Sequence, residues 1–488
     1  MNNTPNLKIS KEGDFLTAIR KLFIRKKSDV DMTEGSIAAN IIMFALPLLA
    51  GNLFQQLYNM VDTLVIGHFG ESGEYAAVGS IAPIINILIG LFMGLSSGAG
   101  VVISQYYGAK KEDKVHDSVH TSIAMTVILG IIFTVVGVLM APLFLDIMLE
   151  NESDDGVFNY AKQYLTIYFS GVMGLMVYNM CSGIMRAVGD SSRPFYFLVI
   201  SSVVNIVLDL LFVATFKMGV VGVALATVIA QWISAILALI TLMREKNCVR
   251  ILLKDIRIHT KLLGKIVKVG IPAAIQMALT SFSNMFVQAY VAGANGAQVV
   301  NLGAWTSYSK IDAFLFLPTQ SISLSATTFV AQNLGINDVK RAKKGVKISV
   351  GLSACTTAVC IIIVMIFAPF FASLFKNDDE SIVLLATTLL RYISPFYICT
   401  CVNQIFSAVM RGAGDSKAPM IIMLTSFVGM RQIYLYIMSN YISNNLLPIG
   451  MGYPFGWISC ALITLIYYKF FFNFTSNKIV EDDAPAEE

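Results

Sequence analysis

Apolar residues run along this chain in long uninterrupted blocks, such as 123–145 and 350–374, each closed by charges, glycine or proline. Blocks of this length exceed the roughly 20 residues that a helix needs to cross the hydrocarbon core of a bilayer. Strands of a membrane barrel would alternate polar and apolar positions over about ten residues, and these blocks do not alternate. Read against their breaks, they predict twelve helices, near 36–66, 76–106, 118–147, 157–185, 193–214, 219–243, 262–291, 299–331, 344–374, 381–411, 418–441 and 450–472. The chain therefore reads as an all-α integral membrane protein. Composition agrees, since 56% of the 488 residues are hydrophobic and 14% charged, against about 25% charged in soluble domains.

The placement of charge says more than its net value of +4. Alternate connecting segments hold 29 of the 35 Lys and Arg residues, with eight in 243–268 and seven in 1–35. The intervening loops carry only Lys162, Lys217 and Lys376, beside Asp154, Asp155, Asp378, Asp379 and Glu380. Positive charge stays on the cytoplasmic side, so both termini and the linker are expected there, in a multi-pass protein of the cytoplasmic membrane. The N-terminus does not look like a cleavable signal. Two readings stand for residues 12–27: an amphipathic helix on the inner leaflet, or a disordered basic tail.

The chain repeats itself. SGIMRAVGDSSRP at 182–194 and SAVMRGAGDSKAP at 407–419 share seven of thirteen residues at an offset of 225, and Pro47 has its counterpart in Pro272. A second pair, ISQYYGAKKED at 103–113 and VAQNLGINDVKRA at 330–342, follows the same pattern. Each half holds six helices, an even number, so the halves share one orientation. That predicts two six-helix bundles related by a pseudo-two-fold axis along the membrane normal, with a cleft between them. The expected organisation is a basic N-terminal segment (1–35), a first bundle (36–243), a linker (244–261), a second bundle (262–472) and an acidic tail (473–488). In the repeated loops, Gly189 and Gly414 suit a helix end with positive φ, and Asp190 and Asp415 suit the cap of the next helix. Arg186 and Arg411 are expected to hold these loops in the cytoplasm.

Ionisable groups inside a membrane cost at least ~2.5 kcal/mol each on insertion scales, so each needs a partner or a purpose. Helix 1 carries Gln55, Tyr58, Asn59 and Asp62, with Gln55, Asn59 and Asp62 on one stripe. Helix 5 carries Asn205 and Asp209 at i and i+4, and helix 6 adds Thr227. Hydrogen bonding between helices accounts for Asn and Thr, but two aspartates point to function. Close carboxylates in a low dielectric do not both stay charged without a bound proton or cation. The same oxygens suit Na⁺, so Asp62, Asn205 and Asp209 are the candidate ion site. The equivalent positions of the second half are Val287, Met430 and Tyr434, none acidic. That half instead holds Lys310, Asp312, Arg391 and Arg431, with Arg391 snorkelling to the surface and Arg431 either pairing with Asp312 or acting in transport.

Other classes lose ground. The seven cysteines fall mostly in apolar runs without CxxC spacing, His68, His116, His120 and His259 lie in or near loops, and no HExxH, GxSxG or P-loop pattern occurs. An enzyme, a cofactor and a nucleic-acid partner are not expected. A receptor or scaffold would not require two buried aspartates.

LPLLAGNLFQQLYNMVDTLVIG at 46–67, the MRAVGDSSRP loop, NIVLD at 205–209, GVALATVIAQ at 222–231 and the GAGDS loop together resemble the multidrug and toxic compound extrusion (MATE) family, bacterial type, over roughly 34–472. The resemblance implies a secondary antiporter that exports organic cations or drugs in exchange for Na⁺ or H⁺ by alternating access. It implies an ion site of Asp62, Tyr164, Asn205, Asp209 and Thr227, cavity positions at Gln55, Tyr58, Asn59 and Asn179, and a bending helix 1 at Pro47. A family branch that uses acidic residues in helices 7 and 10 is not matched, because Gln276, Gln288 and Thr400 stand there. A monomer surrounded by lipid is expected. The rival reading is a lipid-linked sugar flippase, whose pyrophosphate would call on Lys310 and Arg431.

Overall fold

The computed structural model describes residues 30–70, 72–148, 155–374, 380–474 and 479–480. Among them twelve helices are long and apolar enough to cross a bilayer, and no strand occurs. They are α1 (Ile37–Phe69), α2 (Ala77–Gly108), α3 (Glu112–Asp146), α4 (Gly156–Ala187), α5 (Ser192–Thr215), α6 (Gly219–Arg244), α7 (Thr260–Ala292), α8 (Gln298–Gly335), α9 (Val339–Ser373), α10 (Glu380–Gly412), α11 (Lys417–Ile442) and α12 (Leu446–Phe470). All twelve expected spans are present. The starts of α3 and α9 reach back to Glu112 and Val339, several residues before the predicted 118 and 344. Their first turns are charged and therefore invisible to a search for apolar runs. Asp338 caps α9 by accepting from the Arg341 backbone N at 2.8 Å. The segment 12–27, and all of the tail except 473–474 and 479–480, fall outside the described residues.

Large apolar side chains remain exposed on outer faces, among them Ile128, Ile131, Ile132 and Val135 of α3 and Ile362, Ile363 and Ile366 of α9. In water such faces would be costly, and in a bilayer they are the ones that meet lipid. Two spans contain π-helical turns. α5 widens into a π-helical stretch at Leu210–Thr215, directly after Asp209, and α11 does so at Leu424–Met430, directly before Arg431. Widened turns often mark functional positions.

The repeated loops have the geometry their sequence predicts. Gly189 and Gly414 have φ of 96° and 93°. Asp190 Oδ1 accepts from the backbone N of Ser192 (3.0 Å) and Arg193 (3.1 Å), and Asp415 Oδ1 accepts from that of Ala418 at 3.1 Å. Arg193 ties its loop further by pairing with Asp190 and Glu245.

The two halves meet through α1 and α2 of the first against α7 and α8 of the second. Along α2, Gly90, Gly94 and Gly98 recur every fourth residue. A Cβ on Gly94 would lie 2.2 Å from the Ala274 Cα, and one on Gly98 would lie 2.4 Å from the Gly270 Cα. Backbone therefore packs on backbone, as small-residue repeats permit in membranes. Deeper along the same seam, Gln105 Nε2 donates to the Gly412 carbonyl at 2.9 Å, and Gln332 Nε2 donates to the Ala187 carbonyl at 2.8 Å. These bonds are reciprocal: each half offers a glutamine to the same repeated helix end of the other, 187 in one and 412 in the other. Reciprocity of this kind marks a two-fold interface. Ser325 Oγ to the Ile41 carbonyl (3.2 Å), Asn333 Nδ2 to the Met32 carbonyl (2.9 Å) and Lys265 Nζ to Tyr106 OH (3.0 Å) join the halves at the same end. This is the end that carries the linker after α6.

The linker lies along α3. His120 Nε2 accepts from the Leu252 backbone N at 3.0 Å, so its Nδ1 carries the proton donated to the His116 carbonyl at 2.8 Å. Thr121 Oγ1 accepts from the His259 backbone N at 3.2 Å.

Candidate functional site

Four helices of the first half bring one polar cluster together. α1 supplies Asp62, α5 supplies Asn205 and Asp209, α6 supplies Thr227, and α4 supplies Tyr164. The i, i+4 spacing of Asn205 and Asp209 turns both toward the bundle, where they are 2% and 0% exposed. Asp62 and Asp209 are direct neighbours, and Tyr164 borders both of them and Thr227. The ring of Tyr164 stacks on that of Tyr168 at 6.2 Å.

These groups are short of partners. Oδ1 of Asp62, both carboxylate oxygens of Asp209, both side-chain polar atoms of Asn205 and Oγ1 of Thr227 are buried without a hydrogen-bond partner. Buried polar atoms are nearly always satisfied, so five orphaned oxygens in one place are unusual. The set consists of hard oxygen ligands of the kind alkali and alkaline-earth cations take, and its two carboxyl groups also suit a proton.

Of the expected cavity positions, those on α1 lie nearest this cluster, and Asn179 lies about four turns along α4 from Tyr164. Gln55 and Tyr58 are half-buried neighbours two turns and one turn before Asp62, and Asn59 is exposed. Asn179 Nδ2 donates to the Leu175 carbonyl at 2.9 Å, while its own carbonyl accepts from Ser96 Oγ at 2.6 Å. Pro47 sits inside the unbroken helix α1, where its missing N–H leaves one turn without its hydrogen bond.

A cavity of 320 Å³ opens on the second half instead, and of helix 1 it is Gln56 that lines it, not Gln55. Asp312, Asn403, Arg431 and Tyr453 also line it. Asp312 Oδ1 accepts from Tyr308 OH at 3.4 Å, and Tyr308 OH lies 3.3 Å from Tyr397 OH. Arg431 is 2% exposed. Its Nη2 donates to Asn284 Oδ1 at 3.0 Å and to Ser283 Oγ, and its guanidinium lies over Phe427 (5.2 Å) and Tyr453 (5.1 Å).

Of the two readings of Arg431, the pairing with Asp312 is not formed. Among the described residues they make no ion pair, because α7 and the two rings hold the guanidinium. Both nevertheless line one cavity. Lys310, two residues from Asp312 and so on another face, does not line it. Arg391 is exposed. Thr400 lines the cavity too, and Gln276 is buried beside Met423.

This cavity was legible and missed. Thr280 and Asn284, then Asp312 and Gln320, then Thr400, Asn403 and Gln404 recur at helical spacing and line it, so three stripes carrying polar groups on one half announce a common lumen. A further group, His116, His120 and Asp255, is close enough to hold a metal. Both nitrogens of His120 already serve backbone groups, so its role is to fasten the linker.

The fold closely resembles that of solved transporters. A multidrug resistance MATE family transporter of the MOP superfamily, in an outward-facing conformation, superposes with a TM-score of 0.85 at 22% identity, covering 91% of this chain and 98% of that one. A MOP superfamily transporter from Pyrococcus furiosus, described as having reversed polarity of its binding pocket, also scores 0.85, at 23% identity with the same coverage. Among curated proteins, the chain is 28% identical over 463 residues to the probable multidrug resistance protein YoeA of Bacillus subtilis, covering 93% of this chain and 97% of that one. It is 25% identical over 450 residues to the probable multidrug resistance protein NorM of Thermotoga maritima, covering 88% and 92%. The MatE family model matches twice, over 47–211 and 272–437, reproducing the offset of 225 between the halves. Matched in both halves by the one model, this chain belongs to the MatE family of multidrug and toxic compound extrusion transporters.

Proposed function

We propose that this transporter exports organic cations or drug-like molecules across the cytoplasmic membrane in exchange for Na⁺ or H⁺, with Asp62, Tyr164, Asn205, Asp209 and Thr227 as the ion site. The observation that carries the reading is the neighbouring pair Asp62 and Asp209, of which Asp62 Oδ1 and both Asp209 oxygens are buried without a hydrogen-bond partner. Two adjacent charges in a low dielectric repel strongly, so the pair favours a bound cation or proton. Asp62 belongs to α1, which touches α5 of its own half and α8 of the other. Neutralising it therefore bears on both halves, and α1 has a ready bending point at Pro47.

Placing the basic linker in the cytoplasm makes the closed end of the seam cytoplasmic and gives an outward-facing molecule. The carboxylate of Asp312 is then the cavity's acceptor for a cationic substrate, within a lining of amides and aromatic rings. A flippase handling pyrophosphate would need several cations there, and among the lining residues Arg431 is the one present. Dye efflux from cells expressing the protein tests the proposal. Asp62→Asn should abolish efflux with normal amounts in the membrane, and undiminished efflux would remove the ion site from this cluster.

A further inference from the structure

Arg186 and Arg411 occupy the same position of the repeated motif, at the ends of α4 and α10. They were expected to hold these loops in the cytoplasm. The structure adds that both line one small cavity of 50 Å³ on the seam between the halves, near the linker end. Arg411 is 6% exposed. Its Nη1 and Nη2 make only long bonds, of 3.5 Å each, to Ser97 Oγ and Gln276 Oε1, and its Nε has no partner. Arg186 donates to no protein atom, and neither arginine forms an ion pair with any described carboxylate. No acidic residue lines the cavity.

Two cations facing one cavity without a counter-charge, Arg411 buried and Arg186 half-buried, repel each other and are costly to desolvate. The surroundings supply donors. Ser97 and Thr328 line the same space with hydroxyl protons that no protein acceptor takes. The volume exceeds the roughly 10–15 Å³ that one water requires, yet is far too small for a drug-sized molecule. Because the arginines are related by the two-fold repeat, the space between them lies on the axis itself.

We propose that Arg186 and Arg411 bind a small inorganic anion, of the size and charge of chloride, between the two halves, and that the anion holds this end closed. The arginines come from opposite halves, so the site is whole only while the seam is shut, and occupancy favours that state.

The test uses the full-length protein in nanodiscs, with thermal unfolding followed in sodium chloride, sodium bromide or sodium gluconate at equal ionic strength. Chloride and bromide should raise the wild-type midpoint and gluconate, too large for the cavity, should not. Arg186→Gln should raise the half-maximal chloride concentration at least tenfold. It should also be no less stable than wild type in gluconate, since it relieves an uncompensated repulsion; a purely structural arginine would give no such crossover. Equal midpoints for wild type in chloride and gluconate, or an undiminished chloride effect in Arg186→Gln, overturn the proposal. Should the variant fail to fold, anomalous scattering from wild-type crystals grown in bromide decides: a peak between the two guanidinium groups upholds the site, and its absence overturns it.

Discussion

Adding one methyl group at Gly94 tests how the halves close. Its Cβ would stand 2.2 Å from the Cα of Ala274, whereas carbon atoms pack at about 3.5–4.0 Å. The obstacle is backbone, so no side chain can swing aside, and α2 and α7 must part by about 1.5 Å. Overpacking of this kind costs about 1–3 kcal/mol. The two helices belong to different halves, so the cost falls on the closed seam and not on either bundle. A bias of that size shifts the balance between closed and open seams roughly 5- to 150-fold. The assay is maleimide labelling of a cysteine introduced at Val101, which is 1% exposed within the seam, read peptide by peptide so that the native cysteines do not interfere. Gly94→Ala should speed labelling by that factor. Gly90→Ala, which meets Met277 Cβ at 3.2 Å and its backbone at 3.3 Å, a far looser approach, should have a smaller effect, and Gly351→Ala, with nothing within 4 Å, none. A folded Gly94→Ala protein that labels at the wild-type rate would refute the claim that the glycine seam holds this end shut.

Two further outcomes follow from the hydrogen bonds. Gln105→Ala removes the side chain that donates to the Gly412 carbonyl and accepts from the Ile479 backbone N. It should lower stability by about 1–3 kcal/mol as an unsatisfied buried group does, seen as a drop in the thermal midpoint. Gln332→Ala should cost less, near 1 kcal/mol, because the Ala187 carbonyl still accepts from Ser104 Oγ at 3.0 Å; equal losses would contradict this. Asp415→Asn, which keeps a capping oxygen for the Ala418 N–H, should leave transport and yield intact, while Asp415→Ala should lower folded yield by the typical ~1 kcal/mol of a lost cap. Abolished transport in a well-expressed Asp415→Asn protein would mean that the charge itself takes part in the cycle.

The spans, the two-fold repeat and the loop caps were legible in the sequence because each leaves a local mark: apolar length, an offset of 225, or Gly and Asp at a helix end. The ion cluster was half legible. Helical spacing joins Asn205 to Asp209, but only the fold brings Asp62 beside them, since no periodicity says which helix neighbours which. Arg431 shows the limit from the other side. Its sequence offers Asp312 as a partner, while Phe427 at i−4 and Ser283 and Asn284 from α7 hold it. The cavity that Arg186 and Arg411 share was not legible for a related reason. A basic residue in a loop motif reads as a cytoplasmic anchor, and the buried Arg411 with the half-buried Arg186 beside it belongs to a seam between halves that a linear reading does not contain.

The ion site is tested most directly by reconstituting the purified protein in liposomes and imposing Na⁺ and pH gradients separately, with a fluorescent cation as cargo. The account predicts that at least one gradient drives uptake into inverted vesicles, and that Asp209→Asn abolishes this driven flux while still binding the cation. Driven transport by Asp209→Asn at the wild-type rate would contradict it.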